Sequence, residues 1–415
     1  MLTPADQVSG AGAHPAASGS RYATLDSLRG LCACLVALMH FPSSGPVFDS
    51  PLIRHSYLML DFFFVLSGFV IAHSYGHRLE TPRQIKMFLC LRFGRIYPLH
   101  LMMLFLLLAL ESLKLLASMG TSMVPVTPAF APPWRGMDSV LANLALLNGF
   151  GFYNTWNIPS WSIAIEFFAY VAFALAAMLG LLSHRRLACM AALAIVALAL
   201  FAGPDMDVLY GWGVLRCVAG FSAGVLVHRM VSRTPGSADE QAPAAAWLQE
   251  AGMILAVLAF VAWAGDTRAS FVAAPLFAVA VAVFARERGV ISRMLATRSM
   301  TRLGELSYSI YMIHMPLQYL FIKCAFAFEK MSGVPLTRLD AGSPVPTRFI
   351  ADDAVTGTLA YLAMLLLVIG VSMLSRRFIE IPGQRFARAF AQHRWGERRR
   401  APRTGRNTAP ATRWR

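Results

Sequence analysis

The chain has 415 residues, of which 57% are hydrophobic and only 14% are charged, and its formal net charge is +15. This composition excludes an ordinary soluble protein, because the apolar residues fall in runs long enough to cross a bilayer. The charge does not indicate a nucleic-acid partner, because the arginines collect between apolar runs and in the C-terminal tail. We therefore expect an all-α, polytopic membrane helix bundle embedded in the lipid bilayer.

About ten transmembrane helices are predicted from the apolar runs. A membrane-spanning helix needs roughly 17–25 apolar residues, and each run comes near that length. In chain order the runs lie near residues 25–41, 57–75, 96–118, 160–182, 187–203, 208–227, 248–264, 270–285, 304–325 and 354–375.

Basic residues predict the direction of these spans. Arginines and lysines follow the second, fourth, sixth and eighth spans, and the tail that begins at Arg376 is also basic. Since cytoplasmic loops carry the excess of positive charge, both termini are predicted to be cytoplasmic. A crossing at 139–152 would invert every later loop, so this segment is expected to form a short re-entrant or interfacial helix.

Three regions are expected along the chain. Residues 1–22 and the basic segment 385–415 are predicted to be disordered cytoplasmic tails, and 23–384 is the membrane domain. No soluble catalytic domain remains, so any chemistry is expected within the bundle. No metal is expected either, because the cysteines lack metal-type spacing and no third ligand lies near His73 and His77 in the sequence.

Arg29 and His40 lie on one face of the first predicted span. Eleven residues bring a helix back to nearly the same direction, about 16 Å further along its axis. Charged groups in hydrocarbon cost roughly 2.5–3.5 kcal/mol each, so they usually line a protein interior or a water-filled cavity. An Arg29 that snorkels to one interface and a His40 at the other would also explain the pattern.

Arg92 and Arg95 stand three residues apart where the third span begins. A guanidinium presents a rigid fork of donors that matches phosphate oxygens. The pair is therefore a candidate site for a nucleotide diphosphate or coenzyme A. Two arginines that only satisfy the positive-inside rule are the alternative.

Glu166 is a carboxylate inside the fourth span. Together with Ser162 and Tyr170 it repeats at four-residue steps, which places the three side chains on one polar face. A carboxylate there can orient a histidine, neutralise an arginine or accept a proton, and Arg29 and His40 are candidate partners. A purely structural pair between two helices is the alternative.

The ninth span carries His314 near its middle and Tyr308 on an adjoining face. Pro316 lacks a backbone N–H, so it frees a carbonyl oxygen one turn earlier that a site can use. Proton transfer and hydrogen-bonded packing are both open to His314. Asp61 is a further carboxylate, near the outer end of the second span.

Together these segments resemble the acyltransferase-3 family of integral membrane acyltransferases. They occur in the family's order and cover most of residues 22–390. The matching elements are Leu25-Asp-Ser-Leu-Arg29-Gly with His40, Asp61-Phe-Phe-Phe-Val-Leu-Ser67-Gly68-Phe, Arg92-Phe-Gly-Arg95-Ile-Tyr-Pro98, Trp161-Ser-Ile-Ala-Ile-Glu166-Phe, Ser307-Tyr308-Ser-Ile-Tyr311-Met-Ile-His314-Met-Pro316 and Glu380-Ile-Pro382-Gly-Gln-Arg385.

The resemblance implies transfer of an acyl group, commonly acetyl from acetyl-CoA, to a hydroxyl of a cell-envelope or exported polysaccharide or glycolipid. It implies a multi-pass protein of the bacterial inner membrane that uses acyl-CoA as co-substrate and no bound cofactor. Arg29 and His40 would belong to the catalytic centre, and Arg92 and Arg95 would engage the acyl donor.

Residue chemistry and resemblance combine into one hypothesis. The acyl thioester approaches His40, which takes the proton of an acceptor hydroxyl, with Glu166 or Asp61 orienting the imidazole. Arg29 steadies negative charge on the donor or on the tetrahedral intermediate, and a covalent acyl-histidine is an alternative route. The catalytic candidates are thus His40, Arg29 and Glu166, and the supporting polar residues are Asp61, Ser67, Tyr308 and His314.

Two rival functions use the same features. A transporter of a lipid-linked sugar or small anion could employ Arg29, Glu166 and His314 as a binding or proton-relay path. A scaffold whose basic tail binds anionic lipid would leave these intramembrane residues without a role.

Overall fold

A computed structural model describes residues 22–120, 128–131, 135–151, 155–209, 211–232, 243–340, 347–351 and 353–396. Helices dominate these ranges, and each of the ten predicted spans coincides with one of them. The prediction of an all-α polytopic bundle is confirmed. In the described part of the chain, eight helices are long and apolar enough to cross a membrane, and the helical segment Arg268–Phe284 is shorter.

The described residues form fifteen α-helices and two short strands. In chain order the helices are α1 (Ala23–Met39), α2 (Pro46–Asp49), α3 (Pro51–Arg54), α4 (Met59–Tyr75), α5 (Pro82–Gly120), α6 (Val140–Leu144), α7 (Ser160–Met178), α8 (His184–Phe201), α9 (Gly213–Val231), α10 (Pro243–Ala264), α11 (Ala273–Phe284), α12 (Val290–Leu295), α13 (Arg298–Ser332), α14 (Ala354–Ser375) and α15 (Ile381–Trp395). Short 3₁₀ turns cover Ser56–Leu58, Met137–Ser139 and Arg268–Val272, and a π-helical turn covers Arg376–Glu380. Strands β1 (Thr337–Asp340) and β2 (Thr347–Ile350) pair antiparallel with Thr337 opposite Ile350.

Within the described residues 139–151, the helical elements are α6 and the end of the 3₁₀ turn before it. A helix of this length is far too short to cross a bilayer. The structure therefore agrees with the expected short re-entrant or interfacial helix. The cytoplasmic position of both termini stays a prediction.

The expectation of a disordered tail over 385–415 is wrong for its first part, because α15 continues to Trp395. The arginine-rich composition suggested disorder, but small residues on one face of α15 pack against α5. A β carbon added at Gly94 would lie only 2.1 Å from the Cβ of Ala387. Of the predicted tail 1–22, only Tyr22 is described, and its ring packs against that of Phe69, whereas residues 1–21 and 397–415 lie outside the described residues.

Glycines bring α1 and α13 into backbone contact. A β carbon at Gly304 would lie 2.1 Å from the carbonyl oxygen of Asp26, and one at Gly30 would lie 2.6 Å from the nitrogen of Gly304. Further along, Gln318 Nε2 donates to the carbonyl of Ala37 at 2.7 Å. The two helices therefore run in the same direction, and small residues let them approach closely, as is usual inside membranes.

A buried ion pair joins α4 to α9. Arg216 Nη2 lies 2.7 Å from Asp61 Oδ2 and its Nε lies 3.0 Å from Oδ1, while Nη2 also donates to the carbonyl of Tyr57 at 2.7 Å. Both charged side chains are fully buried. The prediction of Asp61 as a site residue that orients His40 is corrected here, because Arg216 binds both of its carboxylate oxygens.

We predict that Gly304→Ala lowers the stability of the folded protein by about 1–3 kcal/mol, because the new methyl group meets the backbone of α1. Gly252→Ala on α10 is the matched control, since a β carbon there has no neighbour within 4 Å. Thermal unfolding in detergent, followed by thiol-reactive fluorescence, compares the two. Equal midpoints would contradict the close helix contact.

Replacing Arg216 with Met should cost about 3–5 kcal/mol, because it leaves the Asp61 carboxylate buried without its counter-charge. The double variant Asp61→Leu with Arg216→Met removes both charges and should be more stable than Arg216→Met alone. The same unfolding assay measures both. If the double variant were less stable than Arg216→Met alone, the loss in Arg216→Met could not be explained by the unpaired charge of Asp61.

Candidate active site

One cavity lies between α1, α4, α5, α7 and α13, with a volume of about 810 Å³ that includes its solvent-open part. Six predicted site residues line it, whereas His40, Asp61 and His314 are not among its lining residues. We call it the arginine cavity, and its polar lining consists of Arg29, Ser67, Arg92, Arg95, Ser162, Glu166, Tyr170, Ser307, Tyr308 and Tyr311.

Arg29 is held from two sides within the arginine cavity. Its Nε donates to Ser307 Oγ at 2.8 Å and its Nη2 donates to the carbonyl of Gly304 at 3.2 Å, both across the α1–α13 contact. Asp26, one turn earlier on α1, lies 3.0 Å from Nη2. The counter-charge is therefore Asp26 and not the predicted Glu166.

Arg92 and Arg95 have donors left over. Arg92 Nη2 donates to the hydroxyl of Tyr75 at 3.2 Å and the guanidinium lies over that ring, but its Nε is buried without a partner. Arg95 makes no hydrogen bond or ion pair with the described residues. Because unpaired buried donors are costly, this end of the cavity is suited to an anion.

Glu166 sits in a small network on the cavity wall. It accepts hydrogen bonds from Ser67 Oγ at 2.5 Å and from the hydroxyl of Tyr170, and Ser67 and Tyr170 are themselves 3.2 Å apart. The predicted polar face of α7 is confirmed, since Ser162, Glu166 and Tyr170 all line the cavity. Contacts with Arg29 or His40 are absent from this network, so it does not orient the imidazole.

His40 and His314 form a pair beyond the arginine cavity, with ring centroids 5.1 Å apart. His40 Nδ1 lies 2.9 Å from the carbonyl of Val36, and His314 Nδ1 lies 3.1 Å from that of Ile310. Because a carbonyl only accepts, both Nδ1 atoms carry the proton and each neutral ring presents Nε2 as an acceptor. The Nε2 of His314 is buried without a partner.

Tyr311 connects the histidine pair with the arginine cavity. Its hydroxyl lies 2.8 Å from Ser162 Oγ in the cavity wall, and its ring centroid lies 6.0 Å from that of His314. One turn of α13 thus separates the cavity from the pair. A bound molecule at this end of the cavity would lie close to the acceptor nitrogens of the pair, whereas the arginines lie toward the other end.

Sequence reasoning missed the roles of two charged residues. Arg216, the partner of Asp61, was not predicted as such, because the sequence of α9 carries no signal that shows which residue of another helix it contacts. Glu380 is buried, hydrogen-bonds Ser309 and interacts electrostatically with Arg95. Its motif was noticed without a role, and the π-helical turn that ends at Glu380 is a geometry often found at functional sites.

Two other candidate residues make contacts between helices that are typical of structural side chains. The hydroxyl of Tyr308 donates to the carbonyl of Ile96 and so ties α13 to α5. The ring of His73 packs against those of Tyr22 and His228. In the described ranges, no group of three histidine, cysteine, aspartate or glutamate side chains could hold a metal ion.

Comparisons with known proteins place the chain in a family. The protein "Protein 2 in picA locus" of Rhizobium radiobacter is 40% identical over 93 residues, which are 21% of this chain and 45% of that protein, so less than half of its length is matched. No solved structure matches. The family model of an acyltransferase domain, however, matches residues 22–377. Because this match covers most of the chain, the protein belongs to the acyltransferase-3 family and is a membrane acyltransferase.

Proposed function

We propose that this acyltransferase transfers an acyl group, preferably acetyl, from acyl-CoA to a hydroxyl of a cell-envelope or exported polysaccharide or glycolipid. One observation supports the proposal above all others. A cavity lined by Arg95 and by Arg92, whose Nε is buried without a partner, ends one helical turn from a histidine pair whose Nε2 atoms are acceptors.

The donor would enter at the arginines. Coenzyme A carries phosphates on one end and the thioester on the other, joined by a slender pantetheine arm. Arg92 and Arg95 would bind phosphate oxygens, and the arm would run along the apolar wall formed by residues such as Phe63 and Phe64. The carbonyl would then lie near Tyr311.

The transfer needs a base and charge stabilisation. His40 would take the proton of the acceptor hydroxyl on Nε2 while the oxygen attacks the thioester carbonyl. The tetrahedral intermediate then expels the coenzyme A thiolate, and the new ester bond stays on the acceptor. We assign Arg29 to the donor and not to the oxyanion, because it lies in the same cavity as Arg92 and Arg95.

Glu166 would have an electrostatic role in this scheme. Its negative charge stands in the cavity with three guanidiniums and is fixed by Ser67 and Tyr170. Such a carboxylate reduces the repulsion between the arginines when no donor is bound.

By the distribution of basic loops, the protein would be a multi-pass protein of the bacterial inner membrane, with the arginine cavity facing the cytoplasm.

The direct test incubates membranes that contain the protein with [¹⁴C]acetyl-CoA and measures label in envelope polysaccharide and glycolipid. We expect ester-linked label that mild alkali releases. A transporter using the same buried charges would leave no covalent product, so the absence of label from all acceptor fractions would favour that alternative.

His40→Ala should lower the transfer rate by about 10²–10⁴-fold, the usual loss for a general base, without preventing membrane insertion. His393→Ala, at an exposed position on α15, is the matched control and should keep normal activity. The labelled-acetate assay compares variants at equal protein levels. Near-normal transfer by His40→Ala would reject this residue as the base.

The double variant Arg92→Ala with Arg95→Ala should weaken acetyl-CoA binding at least about tenfold, since each charge-assisted hydrogen bond contributes roughly 1.5–3 kcal/mol. Arg388→Ala with Arg394→Ala removes the same charge from exposed positions of α15 and serves as the control. Isothermal titration of purified protein measures both. Equal affinities would leave Arg92 and Arg95 with a purely topogenic role.

A further inference from the structure

A second pocket lies further along the helices that line the arginine cavity. Its volume is about 540 Å³, and Arg135, Trp156, Asn157, Pro316 and Tyr319 contribute to its wall. The function proposed so far leaves this pocket without a role.

The second pocket and the arginine cavity lie at successive levels of the same bundle. On α13, Tyr308 and Tyr311 line the cavity, and Met315 and Tyr319 line the pocket. On α5, Leu107 of the pocket follows the cavity's Arg95 by twelve residues, or about 18 Å of helix. The histidine pair lies at the level between them.

Asn157 carries an unused acceptor in this pocket. Because Pro316 has no N–H, the carbonyl of Met312 lacks its helical partner, and Asn157 Nδ2 donates to it at 2.8 Å. This bond fixes the orientation of the amide. Its Oδ1 is buried without a hydrogen-bond partner, and the residue as a whole is only 4% exposed. A buried unpaired acceptor costs roughly 1–3 kcal/mol, so a ligand that donates a hydrogen bond to this oxygen, such as one carrying a hydroxyl, would offset that cost.

The remaining wall suits a polyhydroxylated ring. The guanidinium of Arg135 lies 5.0 Å from the ring centroid of Tyr319 and is ion-paired with Glu111. Trp156 is fixed by a hydrogen bond of 2.9 Å from Nε1 to Ser139 Oγ. Aromatic faces cover the apolar C–H face of a sugar, while the amide and guanidinium bind its hydroxyls.

We propose that the second pocket holds one sugar unit of the acceptor, with a hydroxyl directed to Asn157 and the His40–His314 pair. This inference rests on the proposed O-acyltransferase function and adds the acceptor's binding site. The sugar then approaches from one side of the histidine pair and the thioester from the other. His40 receives the hydroxyl proton, and the acyl group moves across the level of Tyr311.

The test blocks the pocket without knowing the acceptor. Tyr319→Cys is made in a chain that carries Cys189→Ser and Cys324→Ser, since those two cysteines are exposed. Intact cells are treated with the membrane-impermeant reagent 2-sulfonatoethyl methanethiosulfonate, and mass spectrometry measures modification. Val334→Cys, at an exposed position beyond the end of α13, is the matched control in the same background.

Modified Tyr319→Cys should transfer [¹⁴C]acetyl to envelope material at least tenfold more slowly than before treatment, while the purified modified protein still binds acetyl-CoA normally. Modified Val334→Cys should keep its rate. Independently, Tyr319→Ala should slow transfer, and Tyr319→Phe, which keeps the ring, should restore most of it.

Full transfer by modified Tyr319→Cys, or failure of Cys at 319 to react while Cys at 334 reacts, would overturn the pocket's role. So would equal rates for Tyr319→Ala and the wild type. If the wild-type protein transfers no label, the proposed function itself fails. If it transfers label that pocket blocking leaves unchanged, only the acceptor site is lost.

Discussion

The close contact of α1 with α13 is the constraint on which the site depends. Gly30 and Gly304 remove the side chains that would hold the two backbones apart. With the helices in contact and parallel, Arg29 reaches Ser307 at one level, and the rings of His40 and His314 meet at another. One helix pair therefore sets the spacing between Arg29, the proposed donor-binding charge, and His40, the proposed proton acceptor. Loops play little part in this geometry.

In a membrane protein, whether a buried polar group has a hydrogen-bond or ion-pair partner helps to separate structural groups from candidate binding groups. Asp61 and Arg216 satisfy each other, and Glu166 has two hydroxyl partners, so these groups stabilise the folded bundle. Several groups around the cavity and pocket have no such partner, among them Arg92 Nε and Asn157 Oδ1. In a bilayer such atoms are expensive, and substrates that supply the missing bonds recover that cost.

The helices and the polar faces could be predicted from the sequence, because backbone groups in lipid must bond within a helix and four-residue steps fix a face. Ser162, Glu166 and Tyr170 share a wall for that reason. Partners on different helices could not be predicted. Asp61 pairs with Arg216, 155 residues later, where Gly220 and Gly224 of α9 lie against Phe64 and Val65 of α4. The tail was misjudged because composition hides the small-residue face of α15.

The level of Tyr311, His314 and His40 lies between the arginine cavity and the second pocket. A continuous aqueous channel there would let protons and ions run down their gradients and drain the energy stored across the membrane. In the proposed scheme, the rings of Tyr311, His314 and His40 would close such a channel. In the proposed scheme, the acyl group would pass from donor to acceptor at this level without an open path for ions through the bundle.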